Sequence, residues 1–282
     1  MDNFHFDVNV HDTINSGQIF VWENYKDAWF VINGQNVIVI RQNPSKVLKL
    51  SNEAKNFFRN DDDFKDIVRS ISRDKIVKKA VKHYPGLRIT RQEPFQCYIS
   101  FIVSANSNIP NIRLRLQKLC RKFGAKTNVE KREFFVFPTP QILAKATMSD
   151  LLECGLGYRA KYVKSASHAV VSEEIDFDYL KKTKYQIAKE SLLKIPGIGG
   201  KVADCILLFS LDKLEAFPLD TWMTKIMQKY YSNEFSLGKK TVTKKRYERI
   251  HQEVIDYFGN FAGYSQQFLF KMERDLNEKK WL

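Results

Sequence analysis

The feature that most constrains this chain is a glycine-rich break between two helical patterns, at residues 193–204. The segment reads Leu-Lys-Ile-Pro-Gly-Ile-Gly-Gly-Lys-Val-Ala-Asp, with apolar helical spacing on both sides. Gly197 and Gly199 let the backbone take positive φ angles and approach another molecule closely. The N–H groups and positive dipole end of the second helix can receive a phosphate. The segment predicts a helix–hairpin–helix that holds a nucleic-acid backbone without reading its sequence, with an ordinary αα-turn as the alternative.

The charge balance also favours an anionic partner. The chain carries 46 Lys and Arg against 32 Asp and Glu, a formal net charge of +14, and its sequence pI is about 9.5. Charge of this sign indicates nucleic acid as a partner, although it does not bear on the fold. With 282 residues, 44% of them hydrophobic, the chain can bury a core as one large domain or two modest ones.

The cysteine pattern and the N-terminal sequence indicate the cellular compartment in which the protein is expected. The cysteines form no CxxC pair, so neither a zinc ribbon nor a disulfide framework is expected, and scattered thiols suit a reducing compartment. No signal-peptide pattern and no run of 18 apolar residues occurs, so we expect an intracellular protein without a membrane span. The four cysteines are Cys97, Cys120, Cys154 and Cys205, of which the first two lie in apolar runs and are expected in the core.

The first third of the chain has the pattern of a sheet. Apolar runs at 29–32 and 37–40 flank Asn33-Gly34, a dipeptide that favours a tight hairpin turn. The segment 18–22 is expected to add another strand, and residues 52–82 switch to helical spacing. We predict an antiparallel sheet with a helix or two packed on it.

From about residue 93 the pattern is helical almost to the end of the chain. Pro94 is placed to begin a helix, Gly124 to end the next one, and Thr147 or Ser149 to cap a short third. The predicted fold is therefore α+β: an N-terminal antiparallel sheet domain at 1–90, then mostly α-helical domains at 91–282 with the helix–hairpin–helix near 193–204. Later helices are expected to end at 193 and to span 202–211, 223–230 and 264–277.

Lys201 stands where a helix begins beside the predicted hairpin. A partly buried lysine near a helix N-terminus favours the neutral amine, which is a nucleophile. Cys205 lies four residues further on, so it shares the same helix face and can bond to the amine. A phosphate contact for Lys201 and a core position for Cys205 are the alternatives.

Asp220 follows Lys201 by nineteen residues, in Phe-Pro-Leu-Asp-Thr. It is a natural N-cap for the helix that follows, and capping alone explains an aspartate there. A carboxylate at this place can also stabilise positive charge developing on a sugar, as in oxocarbenium-like transition states. The hairpin, the lysine and the aspartate together form a stronger pattern than each alone.

These residues resemble the helix–hairpin–helix DNA glycosylases, and within them the 8-oxoguanine DNA glycosylases. The resemblance covers nearly the whole chain. The hairpin is shared by several glycosylases, whereas the Gly-Tyr-Arg-Ala segment and the N-terminal sheet are more specific. The segments that carry it are Ser-Gly-Gln-Ile-Phe-Val-Trp at 16–22, Ser-Phe-Ile-Val-Ser-Ala-Asn-Ser-Asn-Ile at 100–109, Gly-Leu-Gly-Tyr-Arg-Ala-Lys-Tyr at 155–162 and Lys-Val-Ala-Asp-Cys at 201–205.

The resemblance implies a role for each matching residue. Lys201 would attack the sugar C1′ and form a Schiff base, and Asp220 would stabilise the developing charge. The carbonyl of Gly17 would accept the N7 hydrogen that 8-oxoguanine has and guanine lacks. Phe270 would stack on the flipped base, with core packing as its alternative. Further implied contacts are Gln266 on the Watson–Crick edge and Cys205 on the other face of the base.

On the opposite strand, the resemblance implies that Asn106 fills the space left by the flipped nucleotide. Tyr158 would wedge into the stack and Arg159 would contact the partner base, with a surface loop touching phosphate as the alternative. Two positions depart from the family pattern. Asn111 stands where a second cytosine-reading arginine occurs, so looser selectivity is expected. Trp222 replaces a histidine that contacts phosphate.

The expected partner is double-stranded DNA containing 8-oxoguanine, bound by a monomer with no obligate protein partner. We expect no organic cofactor, no catalytic metal and no iron–sulfur cluster, because the closely spaced thiolates of a cluster are missing. Two other functions stay open: a monofunctional alkyl-base glycosylase of the same architecture, which needs the aspartate but not Lys201, and a non-catalytic helix–hairpin–helix DNA-binding protein.

Overall fold

The computed structural model describes residues 8–41, 50–235 and 244–277, with side chains from residue 247 onward in the last range. An N-terminal three-stranded sheet is followed by a largely helical body, so the predicted α+β class is confirmed. Within these ranges, no helix combines the length and apolar character needed to cross a membrane.

The N-terminal sheet is antiparallel, with strand order β1-β2-β3. After a short helix α1 (Val10–Ile14), the strands are β1 (Trp22–Tyr25), β2 (Ala28–Asn33) and β3 (Asn36–Arg41). The predicted hairpin is confirmed, but Asn33 pairs with Asn36, so its two-residue turn is Gly34–Gln35 instead of Asn33–Gly34.

The strand predicted at 18–22 is wrong in its bounds, because β1 begins only at Trp22. Gln18 instead makes side-chain bonds inside the core: its Nε2 donates to the Arg88 carbonyl at 2.8 Å, and its Oε1 accepts from the Thr90 amide at 2.7 Å. A buried amide that is fully bonded fixes the segment before the sheet.

Helices follow the sheet, as the spacing of 52–82 predicted, but this stretch holds three helices instead of the expected one or two. Each begins at a residue whose side chain accepts a backbone N–H: Ser51, Asp63 and Asp74. The second and third pack against the last helix of the chain, which ties the N-terminal part to the C-terminal end. They are α2 (Asn52–Phe57), α3 (Phe64–Ile71) and α4 (Lys75–His83).

The central helix of the body is α5 (Pro94–Ser104), which begins at Pro94 as predicted and is buried on nearly all sides. The next, α6 (Ile109–Phe123), ends at Gly124. A second hairpin then interrupts the helices, formed by β4 (Lys126–Val129) and β5 (Arg132–Phe135). The mostly helical pattern predicted from about residue 93 did not include this hairpin.

The remaining helices complete the body around one large hydrophobic core. Thr147 caps the short helix predicted there, so it is the N-cap and Ser149 is not. The helix α5 packs against α6 and also against α9 (Ala160–Val171) and α12 (Gly200–Ser210). These helices are α7 (Pro140–Lys145), α8 (Met148–Glu153), α9 (Ala160–Val171), α10 (Phe177–Lys182), α11 (Tyr185–Leu193), α12 (Gly200–Ser210), α13 (Thr221–Tyr230), α14 (Lys244–Phe258) and α15 (Ala262–Leu276).

Candidate active site and DNA-facing surface

The predicted helix–hairpin–helix is formed by α11, a turn at 194–199 and α12. Two isoleucines anchor the turn, because Ile195 and Ile198 are buried, whereas Gly197 and Gly199 at its tip are exposed. Gly199 is the N-cap of α12 and has no side chain to cover the first N–H groups of that helix. An exposed helix start of this kind suits a phosphate oxygen.

Gly197 has a φ of +92°, a left-handed conformation that favours glycine. Its α-carbon lies against the ring of Tyr162 on α9, where an added Cβ would come within 2.5 Å of the ring carbon Cγ. The hairpin tip is therefore seated on a tyrosine from another helix, and both backbone angle and packing require glycine there.

Lys201 occupies the first turn of α12 and is half-buried. Its ammonium group lies 5.2 Å from the centre of the Phe101 ring. Burial raises the pKa of the Cys205 thiol to about 12, the positive charge of Lys201 acts in the opposite direction, and the Asp220 carboxylate adds to the rise. One buried thiol thus senses both charges, so the three predicted residues meet at a single place.

Asp220 is the N-cap of α13, as predicted. Its carboxylate Oδ1 accepts the backbone N–H groups of Trp222 and Met223 at 3.0 and 2.8 Å. These bonds use one carboxylate oxygen and hold the side chain in place. Trp222 itself is half-buried, with the Lys225 ammonium 4.6 Å from its ring.

Gly17 and Phe270 lie against each other. Gly17 has a φ of +84°, and a Cβ added there would lie 3.4 Å from the Phe270 ring. Gln266, four residues before Phe270 on α15, is buried, and its Oε1 has no hydrogen-bond partner among the residues that the structure describes. A buried amide oxygen without a partner is unfavourable, so this atom suits a hydrogen-bond donor of a bound ligand.

Asn106, Tyr158 and Arg159 form a second group at the end of α5. Asn106 is exposed with a left-handed φ of +48°, and its Nδ2 donates to the Tyr158 hydroxyl at 3.2 Å. Tyr158 is 50% exposed. Arg159 is buried, and its guanidinium donates to the carbonyls of Ala105 and Asn106 at 2.8 and 2.9 Å. In this structure Arg159 therefore holds the loop that presents Asn106.

A further arginine in this group was not identified from the sequence. Arg115 on α6 donates to the Ser107 hydroxyl at 2.6 Å and to the Gly155 carbonyl at 2.9 Å. It thus ties the Asn106 loop to the loop that carries Tyr158. Its position four residues after Asn111 is the sequence signal that could have found it.

A buried ionic cluster at Asp204, three residues after Lys201 on α12, was also not predicted from the sequence. Asp204, fully buried on α12, is 2.9 Å from the Lys189 ammonium and 2.9 Å from His251 Nε2. It also accepts bonds from the hydroxyls of Tyr185 and Tyr247 at 2.5 and 3.2 Å. Burial alone would raise the pKa of Asp204, but His251 and Lys189 outweigh it and the pKa is lowered. The cluster joins α12, which also carries Lys201, to α11 and α14.

The hairpin, the lysine and the aspartate on this scaffold define a helix–hairpin–helix DNA glycosylase. Residues 99–252 match the HhH-GPD superfamily of base excision DNA repair proteins, and this chain belongs to that superfamily. Residues 4–98 match the 8-oxoguanine DNA glycosylase N-terminal domain.

Curated relatives agree with this family. The chain is 31% identical over 221 residues to the probable N-glycosylase/DNA lyase of Methanothermobacter thermautotrophicus, covering 71% of this chain and 68% of that protein. It is 32% identical over 196 residues to the N-glycosylase/DNA lyase OGG1 of Arabidopsis thaliana, covering 68% of this chain but only 53% of that protein.

Solved structures share the fold. The 8-oxoguanine glycosylase/lyase of Clostridium acetobutylicum, in complex with DNA containing cytosine opposite 8-oxoguanine, is 32% identical and superposes with a TM-score of 0.87 over 96% of this chain and 93% of that chain. A 3-methyladenine DNA glycosylase from Archaeoglobus fulgidus, 18% identical with a TM-score of 0.73 over 98% of each chain, shares the fold alone. The fold therefore does not select the lesion.

Proposed function

We propose that this chain flips 8-oxoguanine out of duplex DNA, excises it through a Schiff base at Lys201, and then cleaves the abasic strand. The observation that carries the proposal is that the charges of Lys201 and Asp220 both act on the buried thiol of Cys205, so the three residues lie near one another. A monofunctional glycosylase needs the aspartate but has no use for the lysine.

The reaction follows from these groups. The neutral amine of Lys201 attacks C1′ of the flipped nucleotide, and the base leaves with the electron pair of the glycosidic bond. The Asp220 carboxylate stabilises the positive charge that develops on the sugar. The Lys201 nitrogen then loses a proton, the C1′–O4′ bond of the sugar ring breaks and O4′ takes up a proton, which leaves a protonated imine between Lys201 and C1′. Loss of a proton from C2′ of this imine expels the 3′ phosphate with the electron pair of the C3′–O bond, which cleaves the strand by β-elimination.

Selection of the lesion is assigned to the region of Gly17, Gln266 and Phe270. Phe270 stacks on the extruded base, and the unpartnered Oε1 of Gln266 accepts a hydrogen from its Watson–Crick edge. The Gly17 carbonyl accepts the N7 hydrogen of 8-oxoguanine. Guanine has no such hydrogen, and a buried acceptor left unpaired costs about 1–3 kcal/mol.

Asn106 and Tyr158 occupy the space that the flipped nucleotide leaves, because flipping costs a few kcal/mol and the gap must be filled. Both side chains are exposed and bonded to each other, which suits a wedge presented to DNA. Arg159 supports that wedge and lies beside the partner base. The hairpin at Gly197 and Gly199 receives the phosphates.

The test uses a duplex with one 8-oxoguanine opposite cytosine, incubated with sodium borohydride and either the wild type or Lys201→Gln. Borohydride reduces a Schiff base and traps the protein on the DNA. We expect released base and a trapped adduct with the wild type, and neither with the variant. Base release without an adduct would favour a monofunctional glycosylase, and binding without release would favour a DNA-binding protein.

A further inference from the structure

Two side chains of α15 hold the backbone on the N-terminal side of Gly17. Arg274 donates through Nη1 to the carbonyl of Asn15 at 2.7 Å. Gln267 donates through Nε2 to the carbonyl of Ser16 at 3.1 Å. The two carbonyls immediately before Gly17 are therefore both bonded to one helix, although about 250 residues of chain separate the partners.

The same helix carries the two residues assigned to the base. Gln266, Phe270 and Arg274 follow one another at intervals of four, so they share one face of α15. A Cβ on Gly17 would lie 3.3 Å from Arg274 Nη1 and 3.4 Å from the Phe270 ring. The recognition glycine is thus packed against both the stacking residue and the arginine.

The other flank of Gly17 is fixed by the N-terminal part of the chain. Gln18 donates to the carbonyls of Thr13 and Arg88 at 3.2 and 2.8 Å and accepts from Thr90. The Ser16 hydroxyl donates to the Thr13 carbonyl at 2.7 Å. Because residues 15, 16 and 18 are all bonded, the peptide at Gly17 has little freedom to rotate.

We propose that Arg274 and Gln267 are positioning residues that set the direction of the Gly17 carbonyl relative to Phe270 and Gln266. This inference rests on the proposed excision of 8-oxoguanine and assigns its selectivity to α15 as one rigid unit. A single hydrogen bond discriminates two bases only if the acceptor is held within about 0.5 Å of its productive place. Arg274 and Gln267 donate from α15, the same helix that carries the stacking residue Phe270, so they can hold the acceptor with this accuracy.

The test compares two reactions of the full-length protein. The first is release of 8-oxoguanine from a duplex, which needs the Gly17 carbonyl. The second is cleavage of the same duplex with a preformed abasic site, which needs Lys201 but no base recognition. Arg274→Met removes the donors and keeps an apolar chain of similar length. Arg69→Met is the matched control, because Arg69 is 80% exposed on α3 and pairs only locally with Asp66.

We expect Arg274→Met to lower kcat/KM for 8-oxoguanine release about tenfold to hundredfold, the range for one lost hydrogen bond. Abasic-site cleavage should stay within about twofold of the wild type, and Arg69→Met should change neither reaction. Gln267→Met should show the same split, and Arg274→Lys, which keeps a donor, should recover part of the loss.

Three outcomes would overturn the inference. An Arg274→Met protein that loses both reactions equally, with Gln267→Met doing the same, would show that the contacts only support folding. An unchanged 8-oxoguanine rate in both variants would show that the Gly17 carbonyl does not depend on them. A wild type that cleaves abasic sites but releases no 8-oxoguanine would overturn the proposed lesion and, with it, this role of α15.

Discussion

The ring of Tyr162 packs against Gly197, and the same ring meets the Tyr158 ring edge-on, with the two ring centres 6.2 Å apart. Tyr158 in turn accepts a bond from Asn106. One tyrosine therefore connects the hairpin proposed to receive phosphate with the pair proposed to fill the gap in the duplex. The two parts proposed to face DNA are set relative to each other by direct side-chain contact.

This contact predicts different effects for two alanine substitutions in the hairpin. Gly197→Ala places a Cβ within 2.5 Å of the Tyr162 ring at a φ of +92°, so the tip must shift. A strained backbone position of this kind costs about 1–3 kcal/mol. We expect a lower melting temperature together with weaker binding of undamaged duplex DNA.

Gly199→Ala is the matched variant. Its φ is −96°, and a Cβ there meets no atom of the described part of the chain within 4 Å, so the free protein should keep its melting temperature. If the hairpin approaches phosphate at this glycine, the variant should still bind DNA more weakly in a fluorescence anisotropy titration. Unchanged binding by both variants would remove the hairpin from the interface.

Asp220 combines a structural role with a proposed chemical one, and two substitutions separate them. Asn caps a helix about as well as Asp, so Asp220→Asn should retain the melting temperature and lose most base release. Asp220→Ala should lose base release and also about 0.5–2 kcal/mol of unfolding free energy, because Trp222 and Met223 lose their acceptor. Full activity of the Asn variant would restrict Asp220 to capping.

The local parts of this structure could be predicted because their signals lie within a few residues. Pro94, Thr147 and Asp220 each begin a helix, as their types and spacing indicated. The second hairpin gave no such signal. Its turn places Glu130 and Lys131 at φ values of +49° and +62° without a glycine or asparagine.

The residues of the candidate site could be predicted where they belong to a sequence motif. They could not be predicted where folding brings together residues that are far apart in the sequence. Lys201, Cys205 and Asp220 follow from the hairpin segment and the family resemblance. The bond from Arg274 to Asn15 joins the two ends of the chain. The pairing of Lys189 with His251 through Asp204 joins three helices, and neither arrangement is encoded by local spacing.

Asn111 predicts loose selectivity for the base opposite the lesion. It is exposed in the first turn of α6, where an arginine side chain can be added without repacking the core. One bidentate contact to a base contributes about 1–3 kcal/mol of discrimination, so Asn111→Arg should raise the preference for cytosine over adenine about tenfold. The measurement is kcat/KM for base release from the two duplexes.

Leu114→Arg is the control for that change, because it adds the same charge at a 51% exposed position on the same helix. Charge alone should strengthen binding to both duplexes equally and leave the preference unchanged. An equal effect of the two arginines would contradict a base-reading role at position 111.

The cluster around Asp204 predicts a large loss of stability from a small change. Asp204→Asn removes the negative charge that Lys189 and His251 share inside the core. Breaking a buried ion pair on one side costs about 3–5 kcal/mol, because the remaining charge is left unpaired. Urea unfolding at neutral pH should show this loss, and a change below about 1 kcal/mol would contradict a stabilising role for the Asp204 charge.

Asp212 predicts how stability responds to acid. Burial would raise its pKa, but Arg59, Arg91 and Lys181 outweigh that effect, and the pKa of Asp212 falls to about 2 from its usual 3.8. A carboxylate with a lowered folded pKa adds stability above the unfolded value, and that stability is lost as pH falls from about 4 toward 2. The difference corresponds to about 2 kcal/mol.

Asp212→Asn should therefore be less stable than the wild type at pH 6, and the gap should narrow by about 2 kcal/mol between pH 4 and pH 2. Part of the difference at pH 6 reflects Arg59, whose side chain is 1% exposed and lies 2.5 Å from Asp212. Asp178→Asn, at an exposed position on α10, is the control. Urea unfolding curves across this pH range are the measurement, and a gap that stays constant down to pH 2 would contradict the assignment of the acid response to Asp212.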